Sequence, residues 1–306
     1  MLPNRLLPLC INGTIAIFFL LTSCSPKISM QQLEKRVENK LQQTEGDFAV
    51  AFKDLTTGEQ LLLKANESFH AASTMKTPVM IEVYRQAYAG IFSLQDSLVI
   101  KNQFKSIVDG SLFSLDPNAD SEKGLYKEEG KKQTIYALMY NMIIVSSNLA
   151  TNTIIEKVDA KNVTATMRTL GAQQILVLRG VEDQKAFDKG LNNITTAYDL
   201  MLIFEKMAGG LTVNQEASQE MVKILLDQQF NEIIPAKLPK SVKVAHKTGS
   251  ITGVHHDTGI VFLPDGRKYV LVLLSKNVKD EHAGTKVMAD VSREIYKYVV
   301  ARRAGK

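Results

Sequence analysis

Strand signals crowd the two ends of this 306-residue chain, and helical periodicity fills its middle. Near the front, "DFAVAFKDLTTGEQLLLKA" alternates around a Thr-Gly turn and predicts a β-hairpin. Near the back, "SVKVAHKTG", "TGIVFL" and "KYVLVLLS" predict three more strands, the last two joined across "PDGR". Residues 28 to 43, "ISMQQLEKRVENKLQQ", put Ile28, Leu33, Val37 and Leu41 on one helical face, and a closing helix is expected at about 281 to 303. The pattern predicts a sheet closed by both ends of the chain, with a helical subdomain inserted between them. The sheet part would take about 28–72 and 231–306, and the helical part about 73–230. A polar, Gly-, Ser- and Asp-rich excursion at 102–131 interrupts the helical signals.

The helical region opens on "AASTMKTPVM", residues 71 to 80, with a serine and a lysine three positions apart. Positions i and i+3 share a helix face, so Ser73 and Lys76 can touch if the helix begins near Ser73. Pro78 suits such a start, because its missing N–H would have bonded the Thr74 carbonyl at the helix edge. First-turn N–H groups lack intrahelical partners and favour an oxyanion at that spot. A lysine drawn into a partly desolvated site loses affinity for its proton, and a neutral amine beside a hydroxyl can activate it as a nucleophile. Taken alone, S-x-x-K also describes a surface lysine after an N-capping serine.

Two further stretches follow in order. "MIIVSSNLATNTII" sets Ser146, Ser147 and Asn148 after an apolar run, and "VAHKTGS" puts Lys247, Thr248 and Gly249 at the end of a predicted strand. S-x-x-K, S-x-N and K-T-G in this order form the three-part signature of the penicillin-recognising serine hydrolases. Over nearly all of its length after residue 28, the chain resembles that superfamily, and specifically its class A-like β-lactamase branch. The resemblance implies an α/β (α+β) fold of the β-lactamase/transpeptidase type. Such a fold has an antiparallel five-stranded sheet flanked by N- and C-terminal helices, plus an inserted all-helical subdomain.

The same resemblance implies roles. Ser73 would be the acylated nucleophile and Lys76 its proton partner. Ser146 would relay a proton to the departing lactam nitrogen, and Asn148 would hold the substrate's side-chain amide. Lys247 and Thr248 would bind the substrate carboxylate, while Gly249 would let substrate backbone approach closely. The backbone N–H groups of Ser73 and Ser250 would form the oxyanion hole. Asn152 resembles the family asparagine that braces the neighbouring loop, an ordinary helix-surface asparagine being the other reading. Ser147 stands where the family more usually has an aspartate, which removes a buried structural carboxylate.

A lactamase must also drive water onto the acyl-serine ester. The candidate base is Glu182 in "LRGVEDQKAF", preceded by Arg179 as a loop anchor and followed by Thr195 and Thr196, which resemble the threonines that close this loop onto a helix. The family's E-x-E-L-N continuation is absent: Asp183 and Gln184 follow, and no asparagine stands where one would help position the water. A solvated loop carboxylate is the alternative reading of Glu182. Nor does an arginine follow K-T-G. There "TGVHHDTG" offers His255 or His256 for part of the carboxylate space, or as loop histidines at the sheet edge. His246 would either tune the charge of Lys247 or face solvent. Phe104 and Phe113, in the long polar insertion, would either gate the pocket or pin the loop.

The N-terminus bears on the compartment. "MLPNRLLPLCINGTIAIFFLLTSC" has one arginine, Arg5, then an apolar stretch ending in small residues, the layout of an export signal. Its apolar run is too short to span a bilayer permanently. "LTSC" resembles the lipobox of bacterial lipoproteins, which implies a signal peptide at 1–23, acylated Cys24 and a tether at 24–27. The mature protein would be exported and lipid-anchored to a bacterial membrane, facing the periplasm or cell exterior. Cys10 falls in the cleaved segment, so no thiol would remain for a disulfide, a metal or a nucleophile. The formal charge of +5 is spread along the chain and gives little support to nucleic-acid binding. A metal site at His255, His256 and Asp257 would need more ligands than the spacing offers, and no cofactor is implied.

The expected protein is thus a serine hydrolase of β-lactams acting through an acyl-serine, without metal or organic cofactor, its partners being a small β-lactam or D-alanyl peptide and the membrane. A monomer is expected. Two alternatives stay open. One is a D-alanyl-D-alanine carboxypeptidase or penicillin-binding protein acting on peptidoglycan peptides. The other is a catalytically idle binding lipoprotein on the same fold.

Overall fold

A computed structural model describes residues 28–302. The signal segment, the tether with Cys24 and residues 303–306 lie outside the described residues. Ser29 and Gln32 form a reciprocal capping box that starts α1 (Met30–Leu41), whose Leu33, Val37 and Leu41 bury the face their spacing predicted. The hairpin follows as β1 (Asp47–Asp54) and β2 (Gln60–Leu63). After β3 (Phe69–His70), a 3-10 turn at Ala72–Met75 leads into α2 (Lys76–Tyr88). Next come β4 (Ser97–Val99), β5 (Phe104–Lys105), β6 (Leu112–Phe113), a 3-10 turn at Leu125–Glu128 and β7 (Lys132–Thr134). Helices α3 (Ile135–Ile144), α4 (Asn148–Val158), α5 (Ala160–Thr169) and α6 (Gln184–Asp188) precede β8 (Ile194–Thr195), α7 (Ala197–Ala208) and α8 (Gln215–Leu226). The chain closes with β9 (Lys243–Ile251), β10 (Val254–Phe262), β11 (Lys268–Lys276) and α9 (Glu281–Ala301).

The two ends of the chain build one five-stranded antiparallel sheet in the order β2-β1-β11-β10-β9. They join where β1 meets β11, with Ala51 opposite Val272. Side-chain alternation divides the interior in two. Phe48, Val50 and Phe52 of β1, with Tyr269, Leu271 and Leu273 of β11, pack under α1 and α9. Ala49 and Ala51, with Val270, Val272 and Leu274, face the helical side, where they meet α7. Each fully buried leucine or valine in these layers contributes about 1.5–3 kcal/mol.

Between the two ends, helices are joined by three short ladders, β3–β8, β4–β7 and β5–β6. Strands of two or three residues are too short to show alternation, so the polar excursion at 102–131 reads as loop. β10 begins at Val254, four residues before the expected start at Thr258. Thr252 and Gly253 (φ +71) make a tight connection, and the polar residues His256 and Asp257 are fully buried, which hides the strand pattern. α2 lies inside the molecule, with residues from Lys76 to Tyr84 buried in sequence. A lysine at its first position therefore has no route to water.

Candidate active site

Ser73 sits in the 3-10 turn ahead of α2, against the edge strand β9. Ala72 enters that turn at φ +44, a left-handed conformation that disfavours a Cβ, and its N–H donates to His70 Nδ1 at 3.0 Å. Burial first, and the Arg179 charge second, lower the pKa of His70, so it stays a neutral acceptor. β9 runs so close that a Cβ on Gly249 would lie 3.0 Å from Ser73 N and 3.1 Å from Thr74 N. The K-T-G-S stretch of the edge strand therefore passes directly beside the Ser73 amide.

Lys76 is fully buried, and its Nζ donates to Ser146 O at 2.7 Å, Ser146 Oγ at 3.1 Å and Asn148 Oδ1 at 3.0 Å. Among the described residues, no hydrogen bond joins it to Ser73 Oγ, although their spacing predicts contact. A buried amine takes the acceptors that offset its desolvation, and here the second motif supplies three. Burial lowers the Lys76 pKa from 10.5 to about 7, against the raising effect of Asp120 and Glu182. Lys247 reaches the same hydroxyl from β9: its Nζ donates to Ser146 Oγ at 3.1 Å and to Thr248 O at 2.9 Å. Burial, then the Lys76 charge, hold Lys247 well below the ordinary lysine value, with Asp257 opposing. Ser146, at φ +58, thus presents Oγ between two buried amines.

The loop between α5 and α7 brings in Glu182. Arg179 donates from Nε to Leu191 O at 2.9 Å and from Nη2 to Asn192 Oδ1 at 3.2 Å, tying the loop's two arms together. Asn193 adds bonds to the N–H groups of Leu178 and Arg179 and to the Arg179 carbonyl. Thr195 lies in the β3–β8 ladder and Thr196 caps α7, accepting from Asp199 N–H at 3.1 Å. Asn152 grips Val181 through both backbone groups, at 2.7 and 3.0 Å, and is buried, so the helix-surface reading falls. Glu182 itself is exposed at φ +62, and its Oε1 accepts from Asn148 Nδ2 at 2.7 Å. Three of the positive-φ residues, Ala72, Ser146 and Glu182, therefore gather here, as strained backbone does at functional sites.

The Asn152 grip is testable at Gly180, where a Cβ would come 2.1 Å from Asn152 Oδ1. Gly180→Ala must displace that brace, and it is expected to lower stability by about 1–3 kcal/mol, read by thermal unfolding. Hydrogen exchange at Val181 is expected to rise with it.

Two clefts meet at this point. One, of about 400 Å³, lies toward the loop and includes Arg179, Glu182, Phe187 and Ile251. The other, of about 520 Å³, includes Ser146, Thr248, His255 and Glu281. Ser73, Asn148 and Ser250 line both.

Other sequence readings change. His246 is buried, not solvent-facing: its Nδ1 lies 2.8 Å from Asp257 Oδ1 and its Nε2 3.3 Å from Asn231 Oδ1. It points away from Lys247 because neighbours on a strand alternate. His255 and His256 lie within β10 rather than in a loop. His256 is buried with Nε2 2.8 Å from His70 O, and burial pushes its pKa down to about 4, so it is a neutral structural group. His255 lines the larger cleft, with Nε2 3.4 Å from Glu281 Oε2. Phe104 and Phe113 pack on each other with centroids 6.0 Å apart and line neither cleft at Ser73, so they pin the insertion. Asp183 is buried and accepts from Ser106 Oγ and Ile107 N–H, both at 2.9 Å, joining the Glu182 loop to the insertion. Neither this contact nor Asp120 has a sequence signal, because both partners are distant in the chain. Among the described residues, no group of three or more His, Cys, Asp or Glu could hold a metal ion, and no helix is long and apolar enough to cross a membrane.

The model of the Beta-lactamase enzyme family matches residues 32–299. The chain is 21% identical to the β-lactamase VEB-1 of Pseudomonas aeruginosa, covering 93% of this chain and 95% of that one. It is 24% identical to a β-lactamase of Citrobacter koseri, over 89% and 91% of the two chains. Among solved structures, a β-lactamase of Sphaerobacter thermophilus superposes with a TM-score of 0.76 at 27% identity, over 90% of this chain and all of that one. PBP-A superposes with a TM-score of 0.77 at 23% identity, over 91% and 99%, and so shares the fold.

Proposed function

Because the chain belongs to the Beta-lactamase enzyme family, we propose that it opens β-lactam rings through an acyl-serine formed on Ser73. The observation that carries this reading is the meeting of two buried lysines on Ser146 Oγ, which lines the larger cleft together with Ser73. Ser73 Oγ adds to the lactam carbonyl and gives its proton to the neutral amine of Lys76, which burial makes available near pH 7. With two N–H groups in place of three, that amine releases one of its acceptors and turns its lone pair to Ser73. The carbonyl oxygen, now an anion, takes the backbone N–H groups of Ser73 and Ser250. As the C–N bond breaks, the ring nitrogen receives the Ser146 hydroxyl proton, and Lys76 returns its proton to Ser146. Lys247, with Thr248, attracts the substrate carboxylate, and Asn148 holds the side-chain amide. For release, Glu182 takes a proton from water as it adds to the ester, and Ser73 leaves reprotonated.

A second reading, a penicillin-binding protein or D-alanyl-D-alanine carboxypeptidase, is favoured by one observation. Glu182 is exposed, and the position four residues on, where the family's E-x-E-L-N run ends in asparagine, is the buried Ala186. PBP-A shares the fold, and a variant of it has been solved as an acyl-enzyme complex with penicillin G.

Intact-protein mass followed against time, for a soluble form starting at Ser25 mixed with penicillin, separates the readings. A transient adduct mapped to Ser73, with hydrolysed drug accumulating, is expected for the lactamase. A lasting adduct favours the penicillin-binding reading, and no adduct on Ser73 removes both for this drug. We also propose export with lipidation at Cys24, resting on the N-terminal sequence. Mass spectrometry of the membrane-extracted protein tests it, an unmodified cysteine refuting it.

A further inference from the structure

The second motif has a serine, Ser147, at its middle position, and the buried carboxylate expected to be lost with it is supplied from elsewhere. Among the described residues, Ser147 Oγ accepts only the Ala150 N–H of α4, at 3.2 Å. The two preceding first-turn donors of that helix, Asn148 N–H and Leu149 N–H, go to Asp120 Oδ2 at 2.8 and 3.0 Å. Asp120 comes from the polar insertion, 28 residues before Asn148, and is 2% exposed. Tyr126 Oη donates to the same oxygen at 2.9 Å, and Glu122 N–H to Oδ1 at 3.0 Å. A helix start attracts an anion, and four donors fix this one in place. The residue it holds, Asn148, is the one whose side chain touches both Lys76 Nζ (3.0 Å) and Glu182 Oε1 (2.7 Å).

We infer that Asp120 is a positioning residue of the acyl-transfer site, replacing from the insertion the carboxylate that the S-S-N motif lacks and locking Asn148 between Lys76 and Glu182. The inference rests on the acyl-serine reading given above. Two more contacts bind the same segment to the site. Asp116 N–H donates to Glu182 Oε2 at 3.3 Å, and Ser121 Oγ donates to the Val145 carbonyl just before Ser146. The Asp120 charge also acts on Lys76, raising its pKa against the effect of burial. Other charges on Lys76 come from Glu182 on the loop and Lys247 on β9.

The experiment compares Asp120→Ala, Asp120→Asn and the double variant Asp120→Ala/Ser147→Asp in full, folded protein, using benzylpenicillin and intact mass. Asp120→Ala is expected to slow acylation roughly 100-fold, the scale of a misplaced catalytic group. Asp120→Asn keeps an acceptor but loses the charge, so its acid limb of acylation is expected to move to lower pH. Ser147→Asp in the alanine background is expected to recover at least about tenfold, which a loop that merely stabilises the fold would not give. Unchanged acylation and pH limb in both single variants overturn the inference. If Asp120→Ala does not fold, the near-isosteric asparagine carries the test. If wild type itself forms no adduct, the acyl-serine reading fails for this drug, and a crystal structure of Asp120→Ala, which removes the acceptor of the Asn148 N–H, decides instead. Asn148 turned away from Lys76 then supports positioning, and an unmoved Asn148 refutes it.

Discussion

Replacing Lys76 with methionine is expected to suppress acylation of Ser73 by about 10²- to 10⁴-fold, the usual contribution of a general base. The wild-type rate should rise through pH 7 and level off above it, because burial brings the Lys76 pKa down to about 7 and only the neutral amine accepts a proton. The variant should lose that limb, which time-resolved mass measurement across pH checks. Wild-type acylation with an unaltered profile in Lys76→Met would assign the base elsewhere. Stability has its own sign. With the folded pKa below the unfolded value of 10.5, the unfolded chain binds more protons between the two. The penalty for burying Lys76 is therefore complete below pH 7, roughly 5 kcal/mol on this scale, and fades as pH rises toward 10.5. Methionine escapes that penalty but leaves Ser146 O and Asn148 Oδ1 without their donor, at about 1–3 kcal/mol each. The two effects nearly cancel at pH 6. At pH 9 the lost hydrogen bonds dominate, so the variant should melt close to wild type in acid and clearly below it in base.

Glu182→Gln is expected to spare acylation and block release. Glutamine keeps an oxygen for the 2.7 Å bond from Asn148 Nδ2, so the Lys76 side of the site stays in place. It cannot take a proton from water, and deacylation should fall by about 10²- to 10⁴-fold. Penicillin would then leave one lasting adduct per protein and a single equivalent of opened drug. Turnover equal to wild type would mean that Glu182 is not the base. A wild type that already holds its adduct as long as the variant would favour the penicillin-binding reading.

Much of the architecture was legible because it is written in local periodicity. Leu33, Val37 and Leu41 recur at helical spacing, and β1, β9 and β11 appear as strand signals at the two ends of the chain. The strand start at Val254 was not legible, since His256 and Asp257 are polar yet fully buried, which only packing against β11 and His70 permits.

The same division holds at the site. The sequence by itself determined which groups could react, because S-x-x-K, S-x-N and K-T-G are short patterns in which neighbours along the chain supply hydroxyl, amine and backbone. Only the tertiary structure decided how those groups are tuned. Lys76 turned to Ser146 and Asn148 rather than to Ser73, Asp120 arrived from the insertion at the start of α4, and Asp183 fastened the Glu182 loop to that insertion. Each of these is a hydrogen bond between residues far apart in the chain. Burial makes such bonds obligatory, because an unpaired polar group away from water costs more than any local preference can offset.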